Sequence, residues 1–115
     1  MIMEMTKDAL MDTRAAIAAL AALAQESRLA TFRLLVQAGP AGMAASRIAE
    51  ALGLPASSLS FHLKELSHAG LIAARQEGRF IIYAARFDTM NGLLAFLLDN
   101  CCGGNPCTPG CGFPT

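Results

Sequence analysis

The sequence contains no tryptophan and a single tyrosine, and it has no cysteine in its first hundred residues. It also lacks a long apolar run: 54% of its residues are hydrophobic, yet no uninterrupted stretch approaches the roughly 18 residues of a membrane helix. The start of the chain shows neither a basic leader nor an apolar signal segment. These features predict a cytoplasmic protein that does not use a membrane as a partner. Its 115 residues suffice for one compact domain.

The chain has no excess of positive or negative charge, because nine basic residues balance nine acidic ones. Judged over the whole chain, this balance does not favour a polyanionic partner. The distribution is uneven, however. Positions 28 to 86 hold seven basic and three acidic residues, an excess of four. The middle of the chain is therefore basic, whereas its ends are not.

A first helix is predicted over residues 12–25, with Asp12 or Thr13 as its N-cap. Its larger apolar side chains recur at helical spacing, at Ile17, Leu20 and Leu23. Most other positions are alanine, and small side chains allow another helix to approach closely. This composition suits a helix in a dimer interface, and it equally suits an ordinary packing helix within one subunit.

Three further helices are predicted in the next segment. The second begins near Ser27, whose hydroxyl can cap it, and stops at "AGPAG". The third, "MAASRIAEAL", ends at Gly53, and the fourth, "ASSLSFHLKELSHAG", has Pro55 near its first turn and stops at Gly70. One face of the fourth helix is apolar, through Leu59, Leu63 and Leu66. Two short helices joined by a tight glycine-containing turn form the helix-turn-helix outline.

The pattern then changes to strands. "LIAARQEGRFIIYAA" contains two runs rich in isoleucine, phenylalanine and tyrosine, separated by Glu77-Gly78 as a two-residue hairpin turn. A last helix is predicted in "FDTMNGLLAFLLDNCC", with Asp88 as its cap and an apolar face that runs from Met90 to Cys101. The predicted fold is mainly α with a small β-hairpin, the order of a winged helix-turn-helix.

Two stretches carry a family resemblance: "LAQESRLATFRLL" and "SSLSFHLKELSHAGLIAARQEGRFIIYAA". Together they resemble the ArsR/SmtB family of bacterial metal-responsive repressors from Leu23 to Ala85, and "SxxxxHLxxLxxAGLI" over residues 57–72 is the most distinctive part. The resemblance implies a homodimer built on the first and last helices, with no enzymatic activity. Such a dimer binds double-stranded operator DNA without ligand and releases it when a metal or metalloid binds. Residues 1–100 are thus expected to form the DNA-binding and dimerisation domain.

Candidate DNA contacts follow from the geometry of a helix-turn-helix, in which the second helix enters the major groove. Because the three leucines of that helix point inward, its outward positions lie near base edges and phosphates. With the flanking basic residues, the candidates are Arg47, Ser57, Ser58, Ser60, Phe61, His62, Lys64 and Arg79. Three alternatives stay open: Phe61 can pack against a neighbour, His62 can be half-buried, and Arg79 can be a solvated hairpin charge.

All four thiols lie in the last fifteen residues, at Cys101, Cys102, Cys107 and Cys111. Cytosolic thiols are kept reduced, and there clustered cysteines more often bind a metal or sense redox state than form structural bridges. The better-known family sites are absent, because "GMAASRIAE" has no thiol and the last helix has no histidine. Residues 101–115 are therefore predicted to form a cysteine-rich tail that binds the inducer.

Trivalent arsenic suits this tail best, because it is soft, prefers thiolates and gathers at most three sulfurs on one side. Cys101 and Cys102 can supply two sulfurs and Cys107 a third, with Cys111 as an alternate. An organoarsenical with one methyl or phenyl group needs only two, and antimonite is a chemical relative. All four cysteines are candidate metal ligands, and no permanent cofactor is expected.

Other roles for the tail stay open. Its cysteines can be inert, they can form a redox switch, or they can hold a structural Cys₄ zinc site. A bridge between Cys101 and Cys102 would be strained, because neighbouring Cα atoms are about 3.8 Å apart and disulfides usually need at least about 4.4 Å. A thiol-dependent arsenical reductase is disfavoured, because Cys107 and Cys111 have no basic residue near them in sequence.

Overall fold

Five helices and a small sheet make up the computed structural model, which describes residues 11–99. The strands form one antiparallel sheet in the order β1-β3-β2. In chain order the elements are α1 (Thr13–Leu23), α2 (Glu26–Ala38), a 3₁₀ turn (Gly39–Ala41), β1 (Met43–Ala44), α3 (Ala45–Leu52), α4 (Ala56–His68), β2 (Ile72–Glu77), β3 (Phe80–Ala85) and α5 (Phe87–Leu97). The mainly helical fold with a small antiparallel sheet is confirmed.

The start of α1 is the one that the sequence predicts. Asp12 is the N-cap, and its Oδ1 accepts a hydrogen bond from the Ala15 amide at 2.8 Å. The start of α2 is different, because Gln25 is the N-cap and its Oε1 accepts from the Arg28 amide at 2.9 Å. Ser27 lies inside the first turn, so its predicted capping role is wrong. Gln25 lies just before the helix, and its long side chain reaches the amide of Arg28, three residues later.

The predicted cap of α5 is also wrong. Arg86 occupies the N-cap position without a side-chain hydrogen bond, and Asp88 lies in the first turn. There, Asp88 accepts from the Thr89 amide at 2.9 Å and from the Arg86 guanidinium at 3.4 Å. The Arg86 hydrogen bond, with the one from Thr89, lowers the pKa of the Asp88 carboxyl. The carboxylate therefore stays charged near the positive end of the helix dipole, where a negative charge is favourable.

The core lies between the helices and the base of the hairpin. In α4 the predicted inward face is confirmed, since all three of its leucines are buried. The largest fully buried side chains come from α2, α3, α4 and the residue just before β2: Leu35, Ile48, Leu59, Leu66, Leu71 and Thr31. The Thr31 hydroxyl donates to the Ser27 carbonyl at 2.7 Å, so this buried polar group has a partner. Packing thus fixes which side of α4 faces outward.

In α1 the alanines face inward and the larger apolar residues face outward. Ala16, Ala19 and Ala22 are buried, and α1 packs closely against α2 and α4. In contrast, Ile17 is 61% exposed and Leu20 is 42% exposed. Small side chains let helices approach closely, so the alanine stripe serves packing within the subunit. The face with Ile17 and Leu20 is left without a partner in the described part of the chain.

The hairpin differs from its prediction by one residue. Glu77 pairs with Phe80, so the two turn residues are Gly78 and Arg79 rather than Glu77 and Gly78. Gly78 has a φ of 62°, a conformation that glycine adopts without cost. The shift places Arg79 at the tip of the hairpin.

A third strand was not predicted. Met43 and Ala44 form β1 instead of the first turn of the third helix, and they pair with Tyr83 and Ile82 of β3. A two-residue strand is too short to show a periodicity of its own, and its partner lies about forty residues away, so no local pattern predicts it. Through this pairing the hairpin is anchored directly in front of α3.

Gly42 is needed where the chain passes β3, and Gly42→Ala is expected to destabilise the protein. A Cβ at this position would lie 2.5 Å from the Tyr83 carbonyl oxygen and 2.8 Å from Ile82 Cγ2. Gly39 is a matched control, since its φ and ψ (75° and −164°) resemble those of Gly42 (69° and −165°) and nothing lies within 4 Å of its Cβ position. Gly42→Ala should therefore cost about 1–3 kcal/mol more than Gly39→Ala in urea unfolding. Equal losses would contradict the steric account.

Candidate nucleic-acid interface

The outward face of α4 is polar at its start and carries one large aromatic side chain. Ser57, Ser58, Ser60 and Lys64 are exposed, opposite the buried leucines. Pro55 is the N-cap, and no side chain caps the first amides of the helix. Backbone N–H groups and serine hydroxyls at one helix end can donate hydrogen bonds to anionic oxygens.

Phe61 lies on the same outward face and is 55% exposed. Its ring packs in a T-shaped arrangement with the neighbouring His62 ring, with the two centroids 5.8 Å apart. Phe61 therefore packs against a neighbour on one side, as one alternative predicts, and still leaves about half of its surface exposed. An exposed apolar ring on such a face can contact the methyl group of a thymine.

His62 is half-buried and lies on the side of α4 that faces α2. Its Nδ1 is 3.4 Å from Nη1 of Arg28, in the first turn of α2. Arg28 is not among the sequence-predicted site residues, because its partner lies 34 positions away. This placement agrees with the half-buried alternative for His62, and it leaves a second ring nitrogen for another contact.

Arg47 lies in the first turn of α3, beside the hairpin. It is exposed, and together with Phe80 of β3 it lines an open hollow of about 460 Å³. Residues of β1 also line the hollow. Because β1 pairs with β3, the sheet connects the α3 side of the hollow to the hairpin side. The fold thus brings Arg47 close to the hairpin, although 33 positions separate it from Phe80 in the sequence.

Arg79 and Arg75 have different roles in the hairpin. Arg79 is exposed at the tip. Arg75 is held by the 3₁₀ turn: its Nη2 donates to the Ala41 carbonyl at 2.7 Å and its Nη1 to the Pro40 carbonyl at 3.2 Å, while its Nε donates to Glu77 at 2.6 Å. Arg75 therefore braces the hairpin. Sequence patterns could not reveal this role, because the carbonyls are 34 and 35 residues away.

The predicted thiol site is not part of this geometry. Cys101, Cys102, Cys107 and Cys111 lie outside the described residues. Within residues 11–99, no three histidine, cysteine, aspartate or glutamate side chains come together in an arrangement that could hold a metal. In the same part of the chain, none of the helices has the length and apolar character needed to cross a membrane.

Comparison with known families agrees with the arrangement of α2, α3 and α4. A profile described as "Helix-turn-helix domain" matches residues 23–75, which span α2 through the middle of β2. The hairpin follows the second helix of this unit directly. The chain has a winged helix-turn-helix fold. In this winged helix-turn-helix protein, α4 is the recognition helix and the β2–β3 hairpin is the wing.

Solved structures of similar winged helix-turn-helix proteins include several regulators. An ArsR-like transcriptional regulator from Rhodococcus sp. RHA1 is 27% identical, with a TM-score of 0.68 over 79% of this chain and 82% of its own. A homodimeric winged helix-turn-helix DNA-binding domain from Mycobacterium bovis, a possible ArsR-family regulator, is 28% identical, with a TM-score of 0.62 over 83% of this chain and 88% of its own.

A third structure is described as a possible transcriptional regulator for arsenical resistance. It is 25% identical, with a TM-score of 0.58 over 76% of this chain and 95% of its own. A search among curated proteins finds no similar sequence. The matches support the resemblance to the ArsR/SmtB family that the sequence carries between Leu23 and Ala85.

Proposed function

We propose that this protein is a homodimeric ArsR-family transcriptional repressor, not an enzyme, that binds operator DNA and releases it on binding a trivalent arsenical. One observation carries the DNA-binding part. The buried leucines of α4 turn its serines, Phe61 and Lys64 outward, with Arg47 on one flank and Arg79 at the wing tip. Hydroxyls, amides and cations placed in this way suit a major groove and its flanking phosphates.

The homodimer is supported by the surfaces of α1 and α5, which pack against each other. Both helices, and the C-cap residue of α5, leave large apolar side chains exposed: Ile17, Leu20, Leu94, Leu97 and Leu98, each between 38% and 61% exposed. We call these five residues the α1–α5 apolar face. A second copy would remove the face from water, and a similar structure from Mycobacterium bovis is a homodimer. Two recognition helices would then meet half-sites about one helical turn, or 34–36 Å, apart.

The inducer is proposed from thiol chemistry. Cys101 lies four residues after Leu97, the last residue of α5, and Cys102 follows it directly. Thiolates that close around arsenic at this position would change how α5 packs against α1 and the second subunit. A change of about 1–3 kcal/mol in the equilibrium between two packings is typical of allosteric coupling. Such repacking would alter the spacing of the recognition helices and release the DNA.

Arg79 provides a test of DNA binding. A fluorescein-labelled duplex, selected by the protein from a random-sequence pool, is titrated with protein at several salt concentrations. Loss of one phosphate contact in Arg79→Ala should weaken binding uniformly across sequences and reduce the salt slope by about 1 per wing. Arg79→Lys, which keeps the charge, should retain the slope. An unchanged slope in Arg79→Ala would show that Arg79 is a solvated charge, and a protein that selects no duplex would contradict the function.

A further inference from the structure

The side chain of Arg28 bridges the end of α1 and the recognition helix. Its Nε donates a hydrogen bond to the Ala22 carbonyl in the last turn of α1 at 2.7 Å. Its Nη1 lies 3.4 Å from Nδ1 of His62 on α4. Because Arg28 belongs to the first turn of α2, three helices meet at this guanidinium.

The helix ends explain why a cation is held at this point. The last turn of α1 has no basic residue of its own, and the carbonyls at a helix end carry partial negative charge. Arg28 supplies the missing positive charge. Its place near the positive end of α2 is unfavourable, and Glu26 in the same turn offsets this. The guanidinium is therefore held by α1 and α2 independently of its contact with His62.

The contact determines which nitrogen of His62 carries the proton. Arginine has five N–H donors and no acceptor, so Nδ1 of His62 has to accept. A neutral imidazole that accepts at Nδ1 carries its proton on Nε2. His62 is half-buried rather than enclosed, so this Nε2–H is the part of the ring left for a partner outside the subunit.

We propose that Arg28 is a positioning residue that holds His62 in the Nε2-protonated form, so that His62 donates a hydrogen bond to a DNA phosphate. This inference rests on the proposed DNA-binding function. A phosphate suits the site better than a base edge, because His62 is set back from the exposed serines and from Phe61. Phosphate oxygens accept hydrogen bonds from such side-chain donors and fix the register of the protein on the duplex.

The tautomer is measured on the free, full-length protein by long-range proton–nitrogen NMR of the histidine rings. His62 should show a protonated Nε2 and an unprotonated Nδ1. Arg28→Met, which keeps the side-chain length and removes the donors, should shift His62 toward a mixture of both tautomers. A wild-type His62 protonated on Nδ1, or a spectrum that Arg28→Met leaves unchanged, would overturn the positioning role. The measurement on the wild type tests the tautomer of His62 even if Arg28→Met fails to fold.

The DNA contact is tested by a pair of substitutions on the selected duplex. His62→Gln places an amide N–H near the position of Nε2, and it should keep most of the affinity. His62→Asn, shorter by one methylene group, should lose about tenfold, and His68→Asn at the exposed end of α4 should bind like the wild type. Equal affinities for His62→Gln and His62→Asn would overturn the phosphate contact. If the wild type selects no duplex, the proposed function and the contact both fall, while the NMR result still decides the role of Arg28.

Discussion

Leu20→Glu should convert the dimer into a monomer and weaken binding to the selected duplex by at least about 100-fold. Leu20 is 42% exposed in the second half of α1, outside the buried alanine face of that helix. In a dimer, the new carboxylate would be taken out of water without a partner, which costs several kcal/mol. Because a two-fold interface contains both copies of the residue, the penalty occurs twice. A loss of 2.8 kcal/mol corresponds to about 100-fold in a binding constant.

Ile81→Glu is the matched control for the oligomeric state. Ile81 is 40% exposed, almost as much as Leu20, but it lies on β3 in the wing. Light scattering at a series of protein concentrations should show a monomer for Leu20→Glu and a dimer for Ile81→Glu and the wild type. Leu94→Glu on α5 should behave like Leu20→Glu. If both α1 and α5 variants stay dimeric, the α1–α5 apolar face is not the dimer interface.

Cys101→Ser and Cys102→Ser should each bind the duplex like the wild type and fail to release it with arsenite. A serine hydroxyl is a hard donor that does not replace a soft thiolate on arsenic. Loss of one of three sulfurs should raise the arsenite concentration for half-release by at least about 100-fold, or 2.8 kcal/mol. The measurement is fluorescence anisotropy on reduced protein at fixed salt.

Cys111→Ser serves as the control, since Cys111 is the alternate ligand and should change release little. The outcome for Cys107→Ser depends on the arsenical: release by arsenite should weaken, whereas release by phenylarsenite, which needs two sulfurs, should persist. Release by arsenite that survives in both Cys101→Ser and Cys102→Ser would sink the thiol mechanism.

The sequence predicts the helix-turn-helix well because local signals determine it. Leu59, Leu63 and Leu66 repeat at helical spacing, and Gly53 and Gly70 mark the two helix ends with positive φ values of 66° and 77°. Helical periodicity and helix ends both depend on residues that are close together in the sequence. The outward face of α4, and with it most of the candidate DNA contacts, follows directly from them.

Other features could not be predicted because they depend on distant residues. The short strand at Met43 exists only through pairing with β3, and the contact of Arg28 with His62 joins positions 34 apart. In α1 both faces are apolar, so periodicity alone cannot decide which one meets the core. Packing decides it: the alanines fit against α2 and α4, and Ile17 is left outside.

The most direct test of arsenical sensing is a parallel titration of the protein–duplex complex. Arsenite, phenylarsenite, antimonite, zinc and peroxide are added to separate samples of the reduced wild-type complex, and anisotropy follows release. Trivalent arsenicals should release the DNA at near-stoichiometric concentrations, with zinc and peroxide inert. Release by zinc or by peroxide alone, with arsenite inert, would contradict arsenical sensing and assign the same thiols to a soft-metal or redox sensor.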